Sequence, residues 1–221
     1  MKRPIQSGYT PLSRHDNHHP AGQLTMTDYS FIRYLEAKRT VDDRALNAHV
    51  WQTLANELPA ATAERPARVL EVGAGIGTMV ERLVDQQILG HTEYTALDEN
   101  HLLIAELHRR LAGRIQRGKS DVCLETFVGD ALSFTTRDEN QNVWDVLIAH
   151  AFLDLVHLPT AVPDLLTCLK PGGLFYFSIV FDGVTILQPE IDLIFDAYIE
   201  QLYHLTMDQR LHKRQPSGDS R

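Results

Sequence analysis

Between residues 67 and 210 the chain alternates short apolar runs with longer, helix-length stretches. The runs are "RVLEVG", "TEYTALD", "VCLETFVG", "WDVLIAHAF" and "LFYFSIV". After the first comes "GTMVERLVDQQILG", whose Gly90 marks a helix end. After the second comes "NHLLIAELHRRLAG", with Gly113 in the same role. "PTAVPDLLTCLKPGG" is expected to be a helix stopped by its Pro-Gly-Gly, and "PEIDLIFDAYIEQLYHLTMDQR" a long final helix. "TTRDENQN" (135–142) is a polar loop between the third and fourth strands. Strands alternating with helices dictate an α/β fold: a doubly wound, mostly parallel sheet with helices on both faces.

Before that block lie two further helical stretches. "TDYSFIRYLEAKR" is one, and "TVDDRALNAHVWQTLANELP" is the other. Thr40 and Asp43 have capping-box spacing at the start of the second, and Pro59 closes it. Residues 1–26 are polar and rich in His, Pro and Gly. His15, His18 and His19 there fit a metal site or a solvated tail, and no metal is assigned. The expected organisation is an arm (1–26), a helical cap or lid (27–60), a ligand-binding α/β domain (61–210) and a polar tail (211–221). No internal repeat is found.

The 221 residues suffice for one such domain with its own core. A formal charge of −8 argues against a nucleic-acid or anionic-membrane partner. Cys123 and Cys168 are far apart and form no C-x-x-C pair, which argues against a disulfide framework or a structural zinc site. No secretion signal or membrane-spanning run is seen, so a cytoplasmic location is expected.

"EVGAGIGT" is the strand-to-helix turn after the first strand. Gly73, Gly75 and Gly77 bring bare backbone against a ligand, and Asp98 ends the next strand about 20 residues on, where ribose hydroxyls are held. The dinucleotide fingerprint G-x-G-x-x-G/A fails at its sixth position, Thr78. Glu71 would also face a pyrophosphate unfavourably. S-adenosylmethionine carries a sulfonium and an ammonium, which suit a neighbouring carboxylate better.

"VLEVGAGIGT" resembles motif I of the class I S-adenosylmethionine-dependent methyltransferases. "ALDEN", "FVGDALSF", "WDVLIAHAFLDLV" and "LKPGGLFYFSIV" resemble the later motifs in register, so the resemblance spans about residues 67–200. It implies a Rossmann-like methyltransferase fold with S-adenosylmethionine as cofactor. Glu71, Gly73, Ala74, Gly75 and Gly77 would border its methionine part. Asp98, flanked by Glu99 and Asn100, would hold the ribose, or else cap the next helix. Gly129, Asp130 and Ala131 would meet the adenine edge, although Asp130 also fits a turn cap. His150, Ala151 and Phe152 would lie beside the transferable methyl.

His150 is the candidate general base, against the alternative of a histidine hydrogen-bonded at a strand end. "AHAFLD" departs from the Asn/Asp-Pro-Pro-aromatic signature of the amino-methylating branch, so a small-molecule acceptor is expected. Cys123, before the third strand, and Cys168, on a helix, do not resemble a cytosine-C5 nucleophile. Tyr34, Lys38, Arg39, Asp43 and Arg44 are candidate lid or substrate residues, or simply a solvated face. Asp154 and His157, just beyond the fourth strand, are candidate substrate contacts or else cap and solvate the following helix, the latter being preferred for His157. A non-catalytic adenosyl-ligand binder and an NAD(P)-dependent oxidoreductase are the alternatives. The family's C-terminal β-hairpin is not found, although "GDSR" resembles the loop leading into it. That leaves "LFYFSIV" as an apolar edge, for which a homodimer, the terminal segment or missing chain is the expected cover.

Overall fold

The computed structural model describes residues 26–112, 114, 121–179, 185–209, 211–212 and 215–216. The arm with His15, His18 and His19, Gly113 and the "GDSR" segment lie outside the described residues.

In chain order the elements are α1 (Met26–Ala45), α2 (Ala48–Glu57), β1 (Ala67–Val72), α3 (Thr78–Asp85), β2 (Thr92–Asp98) and α4 (His101–Leu111). Then follow β3 (Val122–Val128), α5 (Ala131–Thr135), β4 (Trp144–His150), α6 (Leu158–Leu166), β5 (Leu169–Ser178) and α7 (Leu193–Asp208). A two-residue antiparallel pair, β6 (Leu211–His212) with β7 (Gln215–Pro216), ends the described chain.

The five long strands form one sheet in the order β3-β2-β1-β4-β5, and every pairing is parallel. This is the Rossmann-like arrangement expected, with the order reversing between β1 and β4. Alternate side chains enter two cores. Val69, Tyr94, Ala96, Val146, Ile148 and Tyr176 face α2, α3 and α4. Leu70, Val72, Leu97, Leu147 and Ala149 face α5 and α6. Burial on both faces is why β1 and β4 read as nearly unbroken apolar runs.

Several sequence expectations are corrected. The capping box at Thr40 is not used: α1 runs through it to Ala45, and the Thr40 hydroxyl turns back to Ala37 O. The next helix begins instead at Asn47, whose side chain accepts from His49 N and Val50 N. Helix α3 stops at Asp85, before Gly90, because Gln87 turns left-handed (φ 54°). The Pro-Gly-Gly run does not stop a helix. It lies within β5, with Gly172 at φ 80°, and the register against β4 jumps from Trp144↔Leu169 to Val146↔Leu174. Cys123 lies on β3, and Cys168 is in the turn before β5. Burial pushes the Cys168 thiol up to about 12, so it is an inert core group.

β5 is one of the two outer strands; Phe175 on it and Ile179 just past its end are exposed. None of the residues of α7 is buried, and its Leu193, Ile194 and Phe195 face outward. Among the described residues no helix is long and apolar enough to cross a membrane.

Gly77 makes the joint between β1 and α3. It is left-handed at φ 81°, and an added Cβ would stand 2.8 Å from Leu107 Cγ, so α3 and α4 pack through the missing side chain. Replacing Gly77 with Ala is expected to destabilise the chain by about 2 kcal/mol or more, adding left-handed strain to core overlap. The check is the midpoint of chemical unfolding.

Candidate active site

The turns following β1, β2, β3 and β4 meet at the carboxyl edge of the sheet, where a parallel fold exposes its loops. Backbone hydrogen bonds bind these turns together. Ala74 N donates to Leu97 O (3.0 Å) and Gly129 N donates to Asp98 O (3.0 Å). The Asp98 carboxylate adds a further tie, with Oδ2 accepting from Gly75 N at 2.8 Å and Oδ1 from Asn100 N at 2.9 Å. Asn100 in turn caps α4 through Leu102 N. Asp98 is therefore a preset anion with unused lone pairs; burial raises its pKa and the two N–H donors oppose that rise.

These turns wall a cavity of about 630 Å³. That lies within the roughly 300–1,000 Å³ usual for small-molecule sites. Glu71, Gly73, Ala74, Gly75, Asp98, Glu99, Asn100, Gly129, Asp130, Ala131, His150 and Ala151 all line it. Gly77 does not, because it packs against α4 instead. Gly73 and Gly75 are left-handed at φ 67° and 54°, and a Cβ at Gly73 would collide with Phe152 at 2.6 Å. Asp130 both faces the cavity and caps α5 through Ser133 N (2.8 Å).

Glu71 differs electrostatically from the simple anion that its place in the sequence suggests. Its side chain is buried, and Tyr94 Oη donates to it at 2.8 Å. Desolvation pushes its pKa up to about 8, against the Tyr94 bond and the Arg82 charge. The carboxyl is thus mostly protonated at neutral pH, and the negative charge at this edge belongs to Asp98 rather than to Glu71.

Helix α1 roofs the cavity with Phe31, Leu35, Lys38 and Asp42. Its apolar anchor is small: Ile32 and Leu35 on Ile76 and Leu103. Ion pairs do more. Arg39 Nη1 lies 2.5 Å from the buried Glu81 of α3, which also takes Arg110 Nη2 of α4 at 2.9 Å. Asp43 binds Arg82, and Glu36 binds Arg110 at 3.0 Å. Of the lid residues expected from sequence, Lys38 lines the cavity, whereas Tyr34, Arg39, Arg44 and Asp154 are not in its walls. Tyr34 stacks on Phe31, and Arg44 Nε donates to Thr40 O. Asp42, Leu35 and Phe31 were missed by sequence reading. Their spacing on one helix face gave a signal, but nothing said which face would meet the sheet edge.

His150 ends β4, and its Nδ1 lies 2.5 Å from Ser178 Oγ, its register partner on β5. Its Nε2 is buried without a hydrogen-bond partner among the described residues. Burial first, and the Arg82 charge second, push its pKa down to about 4. His157 lines the cavity and pairs with Thr160 Oγ1 at 3.2 Å.

The cavity thus lies at the switch point of a Rossmann-like sheet, between the glycine turn and Asp98. Residues 43–211 match the family described as a methyltransferase domain, and the chain belongs to that family. It is 23% identical over 179 residues to the polyamine aminopropyltransferase of Clostridium tetani, covering 79% of this chain and 59% of that protein. A Methanococcus maripaludis protein described as an S-adenosyl-L-methionine-dependent methyltransferase superposes with TM-score 0.50 at 15% identity, covering 69% of this chain and 64% of that one. The arsenic(III) S-adenosylmethionine methyltransferase of Chlamydomonas reinhardtii gives TM-score 0.41 at 18% identity, over 57% of this chain and 48% of its own. The chain thus spans under two thirds of the length of each of these relatives.

Glu71 yields a linkage prediction. Its folded pKa of about 8 exceeds the ordinary carboxyl value of 4.5, so its contribution to stability is full below the lower value and is lost as pH rises to the upper one. The E71Q variant, which keeps an acceptor for Tyr94, is expected to gain melting temperature relative to wild type between about pH 5 and pH 8. Paired thermal melts at the two pH values measure it.

Proposed function

We propose that the chain binds S-adenosylmethionine in this cavity and transfers its methyl group to a small-molecule acceptor seated beneath α1. The observation that carries this reading is the Asp98 carboxylate. It is fixed by Gly75 N and Asn100 N at the switch point of the sheet and faces the cavity that the glycine turn leaves open. The matching family supports methyl transfer as the reaction class.

The residues present fit the cofactor. Asp98 has lone pairs left for two ribose hydroxyls. The Gly73–Gly75 crook admits close backbone approach, since it presents no Cβ atoms at those two positions. Asp130 and Ala131, which line the cavity, would meet the adenine edge, and Glu99 and Asn100, also in its walls, would flank the ribose. When bound, the cofactor supplies a methyl on a positively charged sulfur, already activated for displacement. The chain's own task is then to align an acceptor, exclude water and handle a proton. Helix α1 serves as the lid: its underside is part of the cavity wall, and a small apolar anchor together with ion pairs to α3 and α4 holds it there. Lys38 is the lid's inward-facing cation.

A nicotinamide dinucleotide fits less well. Thr78, at the position where the dinucleotide fingerprint needs Gly or Ala, begins α3 and lines the cavity.

Isothermal calorimetry tests the reading. S-adenosylmethionine and S-adenosylhomocysteine are expected to bind, and NADH is not. The D98N variant loses charge-assisted bonds to the ribose, so its affinity for both is expected to fall about 10–100-fold. NADH binding in preference to the sulfonium nucleoside overturns the reading. Labelled-methyl transfer separates an enzyme from a non-catalytic adenosyl binder.

A further inference from the structure

We infer that Asp42 of the lid takes the proton of the methyl acceptor, that His150 holds the acceptor by an Nε2–H donor, and that the acceptor is an apolar molecule bearing a neutral hydroxyl. This rests on the methyltransferase reading and names the substrate class for the same site.

The starting observation is a gap. Asp42 Oδ2 stands 3.9 Å from His150 Nε2, too far for a hydrogen bond, and both residues line the cavity. Nε2 is buried with no other partner among the described residues. Nε2 is closed to solvent in this arrangement, so an oxygen about 2.8 Å from each atom bridges that gap once a shift of α1 or of the imidazole admits it.

The neighbours of His150 set its tautomer. Nδ1 faces the Ser178 hydroxyl, which can donate, whereas Nε2 faces a carboxylate oxygen, which cannot. A proton on Nε2 is attracted to that carboxylate; a lone pair there is repelled. The hydrogen bonds therefore run from Ser178 Oγ–H to Nδ1, and from Nε2–H to the acceptor. The imidazole stays neutral, since burial and Arg82 of α3 act against its charge, with Lys38, Asp42 and Asp43 of α1 the remaining charged groups acting on it. With Nδ1 occupied and Nε2 protonated, His150 positions the acceptor and does not receive its proton. Asp42 does, and Lys38 Nζ, bonded to its other oxygen at 2.6 Å, holds it in place.

The gap also selects the acceptor group. It needs one donor toward Asp42 and one lone pair toward Nε2–H, with a second lone pair free to attack. A hydroxyl has all three. A neutral amine has a single lone pair, which cannot serve both ends. A thiolate needs no base and is repelled by Asp42. Phe31, Leu35, Phe152, Leu155 and Val156 make the surrounding wall apolar. In the transfer the acceptor oxygen forms its bond to the methyl carbon and the sulfur–methyl bond breaks. Its electron pair stays on sulfur, and the hydroxyl proton passes to Asp42.

Two measurements test this. In the full chain labelled with 15N-histidine and saturated with S-adenosylhomocysteine, the His150 resonances, assigned by their loss in H150Q, are expected to show a protonated Nε2 and a bare Nδ1. A bare Nε2 overturns the inference, and this arm needs no variant at Asp42. The second arm offers labelled S-adenosylmethionine with 2-naphthol or 2-naphthalenethiol as probe. Methylation is expected for the naphthol in preference to the thiol. The kcat with naphthol is expected to fall about 100-fold or more in D42N, with the cofactor dissociation constant unchanged within about 2-fold. H150Q, which keeps an N–H donor, is expected to retain more activity than D42N. Unchanged kcat in D42N, preference for the thiol, or an inert naphthol in a chain that binds S-adenosylmethionine overturns this inference alone. Absence of S-adenosylmethionine binding overturns the reading beneath it as well.

Discussion

Parallel pairing is the constraint on which the rest of the molecule depends. Each of the five strands must be re-entered from the same edge, so the chain returns across the faces of the sheet each time. The turns leaving the strands therefore collect at the opposite edge. There they can bond to one another, as Ala74 N does to Leu97 O and Gly129 N to Asp98 O. Because β1 and β4 are neighbours while their outgoing connections diverge, a crevice opens at the switch point without any loop having to be long. Asp98 sits at that crevice with both oxygens already engaged by backbone N–H groups, so its position is fixed before a ligand arrives.

The period of two along the strands then decides which polar groups share a compartment. Glu71, Tyr94, Tyr176 and the strand-end His150 and Ser178 project to the face covered by α2, α3 and α4. That face also receives Glu81 and Arg82, both nearly inaccessible. Glu81 is bracketed by Arg39 and Arg110, so α1, α3 and α4 are pinned through one buried carboxylate. Removing one member of such a cluster leaves the others uncompensated, at a cost of about 3–5 kcal/mol. Helix α1 is thus held by ion pairs as well as by its small apolar anchor, and Asp42 stands opposite His150.

Much of this was legible in the residues. The strand "TEYTALD" is observed over the same residues expected of it, and the glycine turn, Asp98 and the end of β4 fall together at one edge. Other parts were not. Thr40 has the spacing of a cap, but α1 continues because its far end is tied to α3 through Arg39 and Asp43, contacts separated by about forty positions in sequence. Pro-Gly-Gly reads as a helix stop, yet it forms an irregularity inside β5 where the pairing with β4 shifts. Glu71 reads as an anion; only its enclosure beside Tyr94 shows that it is largely neutral.

The sequence by itself determined the layers, the parallel sheet and the class of ligand edge. Those follow from local periodicity, turn glycines and the spacing between one strand end and the next. The tertiary structure alone decided the pairings across distance: Ser178 against His150, Asp42 across from the same ring, and three helices around Glu81. Strand register and helix rotation carry no local signal. They are settled by which buried charges and side chains can be satisfied at once when the layers close.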